Sequence, residues 1–533
     1  MSDSAPTSRR PGRDAGAPER DEEAIEVATA RRRGFGSALA LTVVGAVLPG
    51  TAHLAAGRRK VGATLLVLLL LLVGAGVWLA TGGRREALRL AVDTAALRWV
   101  LIGAAALGLV WLVVVVSGYR ALLPRGSRPW QKGLGALVVA LLCAGVAGPA
   151  YLVVQFAAAQ RELVDNVFAD RESATVPTPA DESDPFGNRS DPFGNRDEVN
   201  FLLLGGDGGV GREGVRTDTV IVANVQTETG RTTLFSLPRN LEDLPFPADS
   251  PLAEVYPDGF EAGSEAESLL NAVYRNGPEW YPDILGPTDD PGADFLKLGV
   301  GEALGLDIDY FVLVNLEGFA RLVDALGGIT VNVNYFVPVN GIEGQELPDA
   351  YIAPGPDQHM DGTRALDYAR GRYGLSDYLR MDRQRCVIDA IVDAADPVTV
   401  LARYRQLAAT TQDIVSTDLP QSLLDDVVDL AFRVKGQTIR SVVFDDTVIN
   451  PAYPDYDLIR SVVQQALADP ADTTPTGSAP SSAPSTAPAP VPTGSAAPTS
   501  AGNPAAAVTD VCAYDPVRAQ AALDEGEPPS KQG

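Results

Sequence analysis

The chain has 533 residues, with 43 Lys and Arg against 68 Asp and Glu and a formal net charge of −25. That length supports two or three folded units rather than one, and a surface of that sign repels nucleic acid, so no nucleic-acid partner is expected. Two His and three Cys, with no HExxH and no ligand-like spacing, set aside a zinc hydrolase.

Residues 1–35 are polar, charge-rich and without apolar periodicity, which predicts a disordered tail. They end in Arg31, Arg32 and Arg33, and no signal-peptidase pattern precedes the apolar sequence that follows, so an anchored protein is expected rather than a secreted one. The region 36–158 holds four apolar stretches, near 36–57, 61–81, 97–117 and 133–158. The last three are long enough to cross a hydrocarbon core of about 30 Å, whereas Pro49 and Gly50 break the first. Basic clusters lie before 36, at Arg58, Arg59 and Lys60, and at Arg120, Arg125, Arg128 and Lys132. Basic loops stay on the cytoplasmic side, which predicts three crossings plus one re-entrant or interfacial segment, a cytoplasmic N-terminus and an extracytoplasmic 159–533. Arg84, Arg85 and Arg89, in the loop then placed outside, run against this pattern.

Residues 159–197 read as an extracytoplasmic spacer ending in a tandem repeat, SDPFGNR at 183–189 and 190–196. Residues 198–469 read as one α/β domain. Phe201–Leu204 and Val220–Val225 are strands, and Thr227–Gly230 turns the second into a third, Thr232–Leu237. Tyr310–Asn315, Ile329–Val333 and Ile439–Phe444 are further strands. Glu317–Leu326, Leu379–Ala395, Gln421–Arg433 and Tyr456–Ala468 are helices, the first closed by Gly327 and Gly328. This mixture predicts an α-β-α sandwich, a mixed sheet covered by helices on both faces. Residues 470–509, rich in Pro, Ala, Ser and Thr, are a linker, and 510–533 a tail carrying Cys512 and little else.

Asp207 follows the first strand and Asp218 opens the second, so adjacent strand ends can bring two carboxylates together. Such a pair suits Mg²⁺ (or Mn²⁺), which takes few protein ligands beside substrate phosphates and water; alternatively each Asp caps a turn. Arg216, Arg239, Arg370, Arg372, Arg380 and Arg383 are the counterweight. Arg370 and Arg372 alternate in YARGRY, so an extended segment turns both one way. Arg380, Arg383 and Gln384 share a helix face. Arginines gathered in an acidic chain predict a polyanion pocket, since guanidinium forks hold phosphate oxygens bidentately; a surface charge network is the alternative.

From Asn200 to about Ala468 the chain resembles the LytR–CpsA–Psr family of wall glycopolymer ligases. The resemblance rests on seven features in family order: FLLLGGD, RTDT at 216–219, SLPRN at 236–240, LNAVY at 270–274, DYFVLVNLEGFARLVDALGGITV at 309–331, DGTRALDYARGR at 361–372 and RMDRQR at 380–385. It implies an α-β-α domain that takes a polyprenyl-pyrophosphate lipid tail into an apolar tunnel. Asp207 and Asp218 would hold the metal; Arg216, Arg239, Arg370, Arg372, Arg380, Arg383 and Gln384 would face the pyrophosphate; Asp218, Arg370 and Arg372 would be catalytic. The implied reaction moves a glycan-1-phosphate from the carrier to a peptidoglycan hydroxyl at the cell membrane. A polyprenyl-pyrophosphate phosphatase and a non-catalytic lipid-binding regulator are the alternatives. Two positions depart from the family pattern: Leu269 stands where many relatives have Lys, and Asn240 where many have Asp. The tunnel walls are expected from 201–204, 220–225, 310–314 and 387–395. With 159–533 outside, Cys386 and Cys512 are the two cysteines in an oxidising setting. A disulfide clamping the tail to the domain is expected there, with separate thiols as the alternative.

Overall fold

A computed structural model describes residues 34–83, 93–124, 126–167, 172–176, 193, 196–207, 215–395, 415–468 and 505–532. The chain divides into two compact units, Met1–Arg161 and Glu162–Gly533. The tail 1–33, the loop 84–92 and the linker 469–504 lie outside the described residues.

In the first unit, α1 (Phe35–Val47) is followed by a short helix, Thr51–Ala55. Gly50 makes the break: its φ is 107°, and a Cβ there would stand 2.4 Å from the carbonyl oxygen of Gly62. Three longer helices follow, α2 (Arg59–Thr81), α3 (Thr94–Leu122) and α4 (Pro129–Val167). The Asp93 carboxylate caps α3 by accepting from the amides of Ala95 and Ala96. Arg59–Leu79, Ala95–Leu122 and Pro129–Ala158 are long and apolar enough to cross a membrane, whereas α1 is a shorter apolar helix. Leu70, Leu71, Trp99, Leu109 and Leu141 point outward, each more than three-fifths exposed. Apolar surface on that scale is not tolerated in water and calls for lipid around it.

The second unit is built on a seven-stranded mixed sheet. Its strands are β1 (Glu198–Gly206), β2 (Thr217–Gln226), β3 (Thr232–Leu237), β4 (Tyr310–Asn315), β9 (Val415–Thr417), β10 (Arg440–Val443) and β11 (Ala506–Ala507), in the order β11-β10-β3-β2-β1-β4-β9. β1 lies antiparallel to β2 and parallel to β4, and β3 lies parallel to β10. β5 (Ile329–Val333) pairs with β8 (Gly355–Met360), and β6 (Val337–Val339) with β7 (Ala350–Ile352), as two small ribbons. The strand expected at 329–333 therefore forms, but outside the main sheet.

Side-chain alternation sends β1 two ways. Leu202 and Leu204, with Val220, Val222 and Phe235, pack on α5 (Leu270–Trp280), α6 (Pro291–Leu304) and α11 (Tyr456–Leu467) through Leu270, Val273, Phe295, Val300, Ile459 and Val463. Each of those helix residues is fully buried, which contributes about 1.5–3 kcal/mol per large side chain. Leu203 and Ile221 face the other way, toward α7 (Leu316–Leu326), α8 (Gly362–Arg370) and α9 (Asp377–Ala394). The domain is thus the expected α-β-α sandwich. α10 (Leu424–Val434) and α12 (Pro516–Glu525) complete it.

Two expectations about the flanks need correction. The segment 159–197 is more than a spacer. α4 runs on to Val167, and Ser173 Oγ (2.8 Å) and the Ala174 amide (3.1 Å) donate to the buried Asp294 carboxylate, as does the Thr175 hydroxyl. The first SDPFGNR copy lies outside the described residues; in the second, Phe193 is buried and Arg196 pairs with Asp309. The tail is likewise part of the domain. β11 extends the sheet by pairing with β10, which was not expected, whereas the disulfide between Cys512 and Cys386 of α9 is the expected clamp, with Cα atoms 5.6 Å apart. A two-residue strand amid low-complexity sequence carries no periodic signal, so composition alone left it unread.

Candidate active site

Parallel β1 and β4 end side by side, Gly206 opposite Asn315. Ligands in sheets of this kind collect outside the carboxyl ends of such strands. Here a cavity of about 400 Å³ lies between the sheet and α7, α8 and α9. Its deep wall is apolar: Leu203, Ile221 and Val312 from the strands, Phe319 and Leu322 from α7, and Val387, Ile388, Ile391 and Val392 from α9. These include the four segments named from the sequence. Asp207, Asp218, Arg370, Arg372, Arg380 and Gln384 line the same cavity.

Asp207 follows the end of β1 and Asp218 lies at the start of β2. The Asp207 amide donates to the Arg216 carbonyl (3.0 Å), and the Arg216 amide donates to Asp207 Oδ1 (2.8 Å), continuing the ladder past the strand ends. Asp218 Oδ1 accepts from Arg239 (2.8 Å) and from Asn271 Nδ2 (3.3 Å). Burial pushes the Asp218 carboxyl upward, but the hydrogen bonds and charges of Arg239, Arg380 and Asn271 outweigh it and hold the group below the usual carboxylate value.

Arg380 is buried on α9. It donates to the Asp218 carbonyl (3.1 Å) and to Asp377 (3.0 Å), while its Nε has no partner among the described residues. Burial lowers its pKa, and Asp377 and Asp218 oppose that. Asp377 also lies 3.7 Å from Arg239, so two carboxylates and two guanidiniums are interleaved. Arg370 and Arg372 differ: both are exposed at the cavity, and among the described residues neither guanidinium makes a hydrogen bond or ion pair. They are the cations available to an incoming anion.

Three sequence expectations change here. Arg370 and Arg372 do not lie in an extended segment; Arg370 ends α8, and the chain turns at Gly371. A Cβ on Gly371 would stand 2.3 Å from the Pro338 carbonyl oxygen, so only glycine lets the backbone pass. Arg383 does not face the cavity. It is buried, donates to the carbonyls of Tyr368 (2.7 Å) and Gly371 and to the Tyr335 hydroxyl (2.8 Å), and so grips the turn that carries Arg370 and Arg372. The shared helix face with Arg380 is real, but the ridge is wide enough for one arginine to enter the cavity and another the core. Arg216 does not line the cavity either; it pairs with Glu267 (2.6 Å), which Arg275 also engages. Leu269 stands at the N-cap position of α5 without a side-chain capping bond and Asn240 is exposed; neither lines the cavity.

Asn271 and Asp377 were not singled out from the sequence. Asp377 was within reach, because it stands three residues before Arg380 at a helix start. Asn271 lies within LNAVY but gives no chemical signal until α5 is laid against β2.

Among the described residues no three His, Cys, Asp or Glu side chains cluster as a metal site. The two aspartates on one cavity, one of them held ionised, nonetheless fit a Mg²⁺ that completes its shell with substrate oxygens and water.

The fold and site define an α-β-α protein whose apolar cavity is lined at one end by arginines and aspartates. The chain belongs to the LytR_cpsA_psr family, whose model matches residues 153–459, more than half of it. It is similar to the polyisoprenyl-teichoic acid–peptidoglycan teichoic acid transferase TagU of Enterococcus faecalis, at 30% identity over 51% of this chain and 79% of that protein. It is also similar to biofilm regulatory protein A of Streptococcus mutans, at 27% identity over 41% of this chain and 50% of the relative. Among solved structures, B. subtilis TagV superposes with a TM-score of 0.35 and 23% identity over 50% of this chain and 96% of that one.

Proposed function

We propose that this chain is a membrane-anchored transferase that moves a glycan-1-phosphate from a polyprenyl-pyrophosphate carrier to a peptidoglycan hydroxyl. The observation that carries the reading is one cavity with aliphatic walls and a charged mouth, which matches an amphiphile with a long apolar tail and an anionic head. The name of the Enterococcus relative supports the same chemistry.

In this reading the aliphatic walls take part of the polyprenyl chain, and Arg370 and Arg372 grip the pyrophosphate as it enters. The acceptor hydroxyl oxygen attacks the phosphorus bearing the glycan, and the bond from that phosphorus to the bridging oxygen breaks. Polyprenyl phosphate leaves with the electron pair, and the hydroxyl proton ends on its phosphate. Asp218, with its depressed pKa, is a poor base and serves as a fixed negative charge. Arg239 and Arg380 hold it in place, leaving Arg370 and Arg372 to offset charge that builds up in the transition state. Mg²⁺ held by Asp207 and Asp218 would neutralise substrate charge. The membrane unit keeps the domain at the surface where the carrier lies, with the N-terminus cytoplasmic and 159–533 outside.

The test is transfer of radiolabelled lipid-linked glycan to wall fragments by the full chain in nanodiscs. Label in the wall supports the ligase; free phosphorylated product would make the chain a phosphatase, and neither would make it a lipid binder. Arg370→Ala and Arg372→Ala should each cut transfer by about tenfold to a hundredfold, since a charge-assisted hydrogen bond contributes about 1.5–3 kcal/mol. Lys should rescue poorly, because a point charge does not reproduce the fork. Wild-type rates in both folded Ala variants would refute the assignment.

A further inference from the structure

The C-terminal segment 505–532 reaches the arginine turn through a chain of contacts that the transfer reading does not use. The disulfide anchors this segment to α9, the helix that carries Arg380, Arg383 and Gln384. From there it runs along the end of β5 and the β5–β6 connection. Asn332 Nδ2 donates to the Cys512 carbonyl (3.0 Å), Asn334 Nδ2 donates to the Ala513 carbonyl (3.0 Å), and Asn334 Oδ1 accepts from the Asp515 amide (2.9 Å). Asp515 caps α12, which brings the Arg518 guanidinium over the Tyr335 ring at 4.6 Å. The Tyr335 hydroxyl accepts from Arg383 (2.8 Å), and the Arg383 guanidinium lies 5.7 Å from the same ring. Arg383 in turn holds the carbonyls of Tyr368 and Gly371, on either side of Arg370.

We infer that the C-terminal segment is a positioning element for Arg370 and Arg372, acting through Arg518, Tyr335 and Arg383. The inference rests on the reading of those two arginines as the pyrophosphate grip. Its physical basis is a difference in restraint. Arg370 and Arg372 are exposed, and neither guanidinium has a hydrogen-bond or ion-pair partner among the described residues. Their placement therefore depends on what holds the turn between them, and Arg383 is that holder. An Arg383 side chain whose third nitrogen lost its acceptor would be a buried donor without a partner, which is costly. Its two backbone bonds would then loosen or re-form elsewhere. Tyr335 supplies the acceptor, and the cation over its ring, supplied by the tail, keeps that ring in place. Neither Tyr335 nor Arg518 lines the cavity, although Tyr335 packs against the buried cluster behind its wall, so they are positioning residues and not catalytic ones.

The test uses the full chain in nanodiscs with geranylgeranyl pyrophosphate as probe, read as a dissociation constant. Tyr335→Phe removes the acceptor and keeps the ring; it should weaken binding about fivefold. Arg518→Ala should weaken it by about twofold to fivefold. Non-additivity separates positioning from a general effect on folding. In an Arg372→Ala background, Tyr335→Phe should cost clearly less than in the wild type, because one of the two guanidiniums that it places is gone. Equal fold-losses in the two backgrounds, or no loss from either substitution in the wild type, would overturn the inference while leaving the grip itself intact. If the wild-type chain failed to bind the probe at all, both the grip and the positioning role would fall. A change in probe affinity confined to chains that retain Arg370 and Arg372 supports the relay.

Discussion

Asp218 shows how residue-level electrostatics decide a role. Its carboxylate is partly exposed, yet its folded pKa lies below the ordinary 3.8 because Arg239, Arg380 and Asn271 together outweigh desolvation. A depressed carboxylate contributes stability that is fully present above the unfolded value and is lost as pH falls through the folded one. The Asp218–Arg239 pair should therefore persist through the whole neutral and mildly acidic range. Acid unfolding of the wild type and of Asp218→Asn should run in parallel above the usual aspartate range and converge only below it. A gap between the two that closed near pH 5–6 would mean that Asp218 titrates as an ordinary or raised group. Asp367 and Asp382 have the opposite sign: burial raises both, so they oppose folding at neutral pH and relax as pH falls through their raised values. At this scale the residue types were legible in the sequence, but their partners were not. Arg216, Arg239, Arg380 and Arg383 look alike as letters. Only the packed structure sends one to Glu267, two to the Asp218–Asp377 cluster and one to the backbone of the turn.

At the scale of elements, α9 does three jobs. Its first turn supplies Asp377 and Arg380, its middle holds Arg383 and the disulfide, and its far end walls the cavity. Its partner across the disulfide is 126 residues away in sequence. Closing a loop of that length removes unfolded-state entropy equivalent to about 4–5 kcal/mol in the chain-entropy model. Reduction, or Cys512→Ser, should lower the thermal midpoint of the domain and expose 505–532 to proteolysis. A midpoint and cleavage pattern unaffected by reductant would show that the tail stays docked by β11 and the asparagine contacts alone. The main strands and helices were readable because their periodicity is strong. α7 is an example, with Asn315 capping its start and Gly327 left-handed at its end. The segment YARGRY was expected to be extended, but its first three residues end α8 and the chain turns at Gly371; six residues are too few to show a helical period.

For the whole molecule, the membrane unit and the domain must cooperate if the carrier lipid is to reach the cavity. Three helices are long and apolar enough to cross a membrane, and if the basic clusters at Arg58–Lys60 and Arg120–Lys132 stay on the cytoplasmic side, 159–533 is expected outside. A periplasm-active reporter fused after Gln160 should give signal, and a cytoplasm-active one should not. The reverse result would remove the transferase reading, since peptidoglycan is not within reach of a cytoplasmic domain.

By itself the sequence determined the α/β class and the apolar helices, and supplied the charged and polar residues, of which Asp207, Asp218, Arg370, Arg372, Arg380 and Gln384 line the cavity while Arg216 and Arg383 do not; the cavity-wall segments were expected through the family resemblance. The class, the helices and the residue types depend on local periodicity and on residue chemistry, both of which are written along the chain. The tertiary structure alone decided which arginines meet carboxylates, which meet backbone and which stay open to a ligand. It also decided that a tail following a Pro-rich linker adds a strand and a helix to the same domain, beside the disulfide clamp that was expected from the sequence. Those outcomes depend on contacts between separate elements, from 21 positions apart for Arg239 and Asp218 and 51 for Arg216 and Glu267 to 162 for Arg380 and the Asp218 carbonyl and 126 for the disulfide. Such contacts form only when burial of the intervening core offsets the entropy of closing the loop, and nothing in the local pattern of either partner records the other.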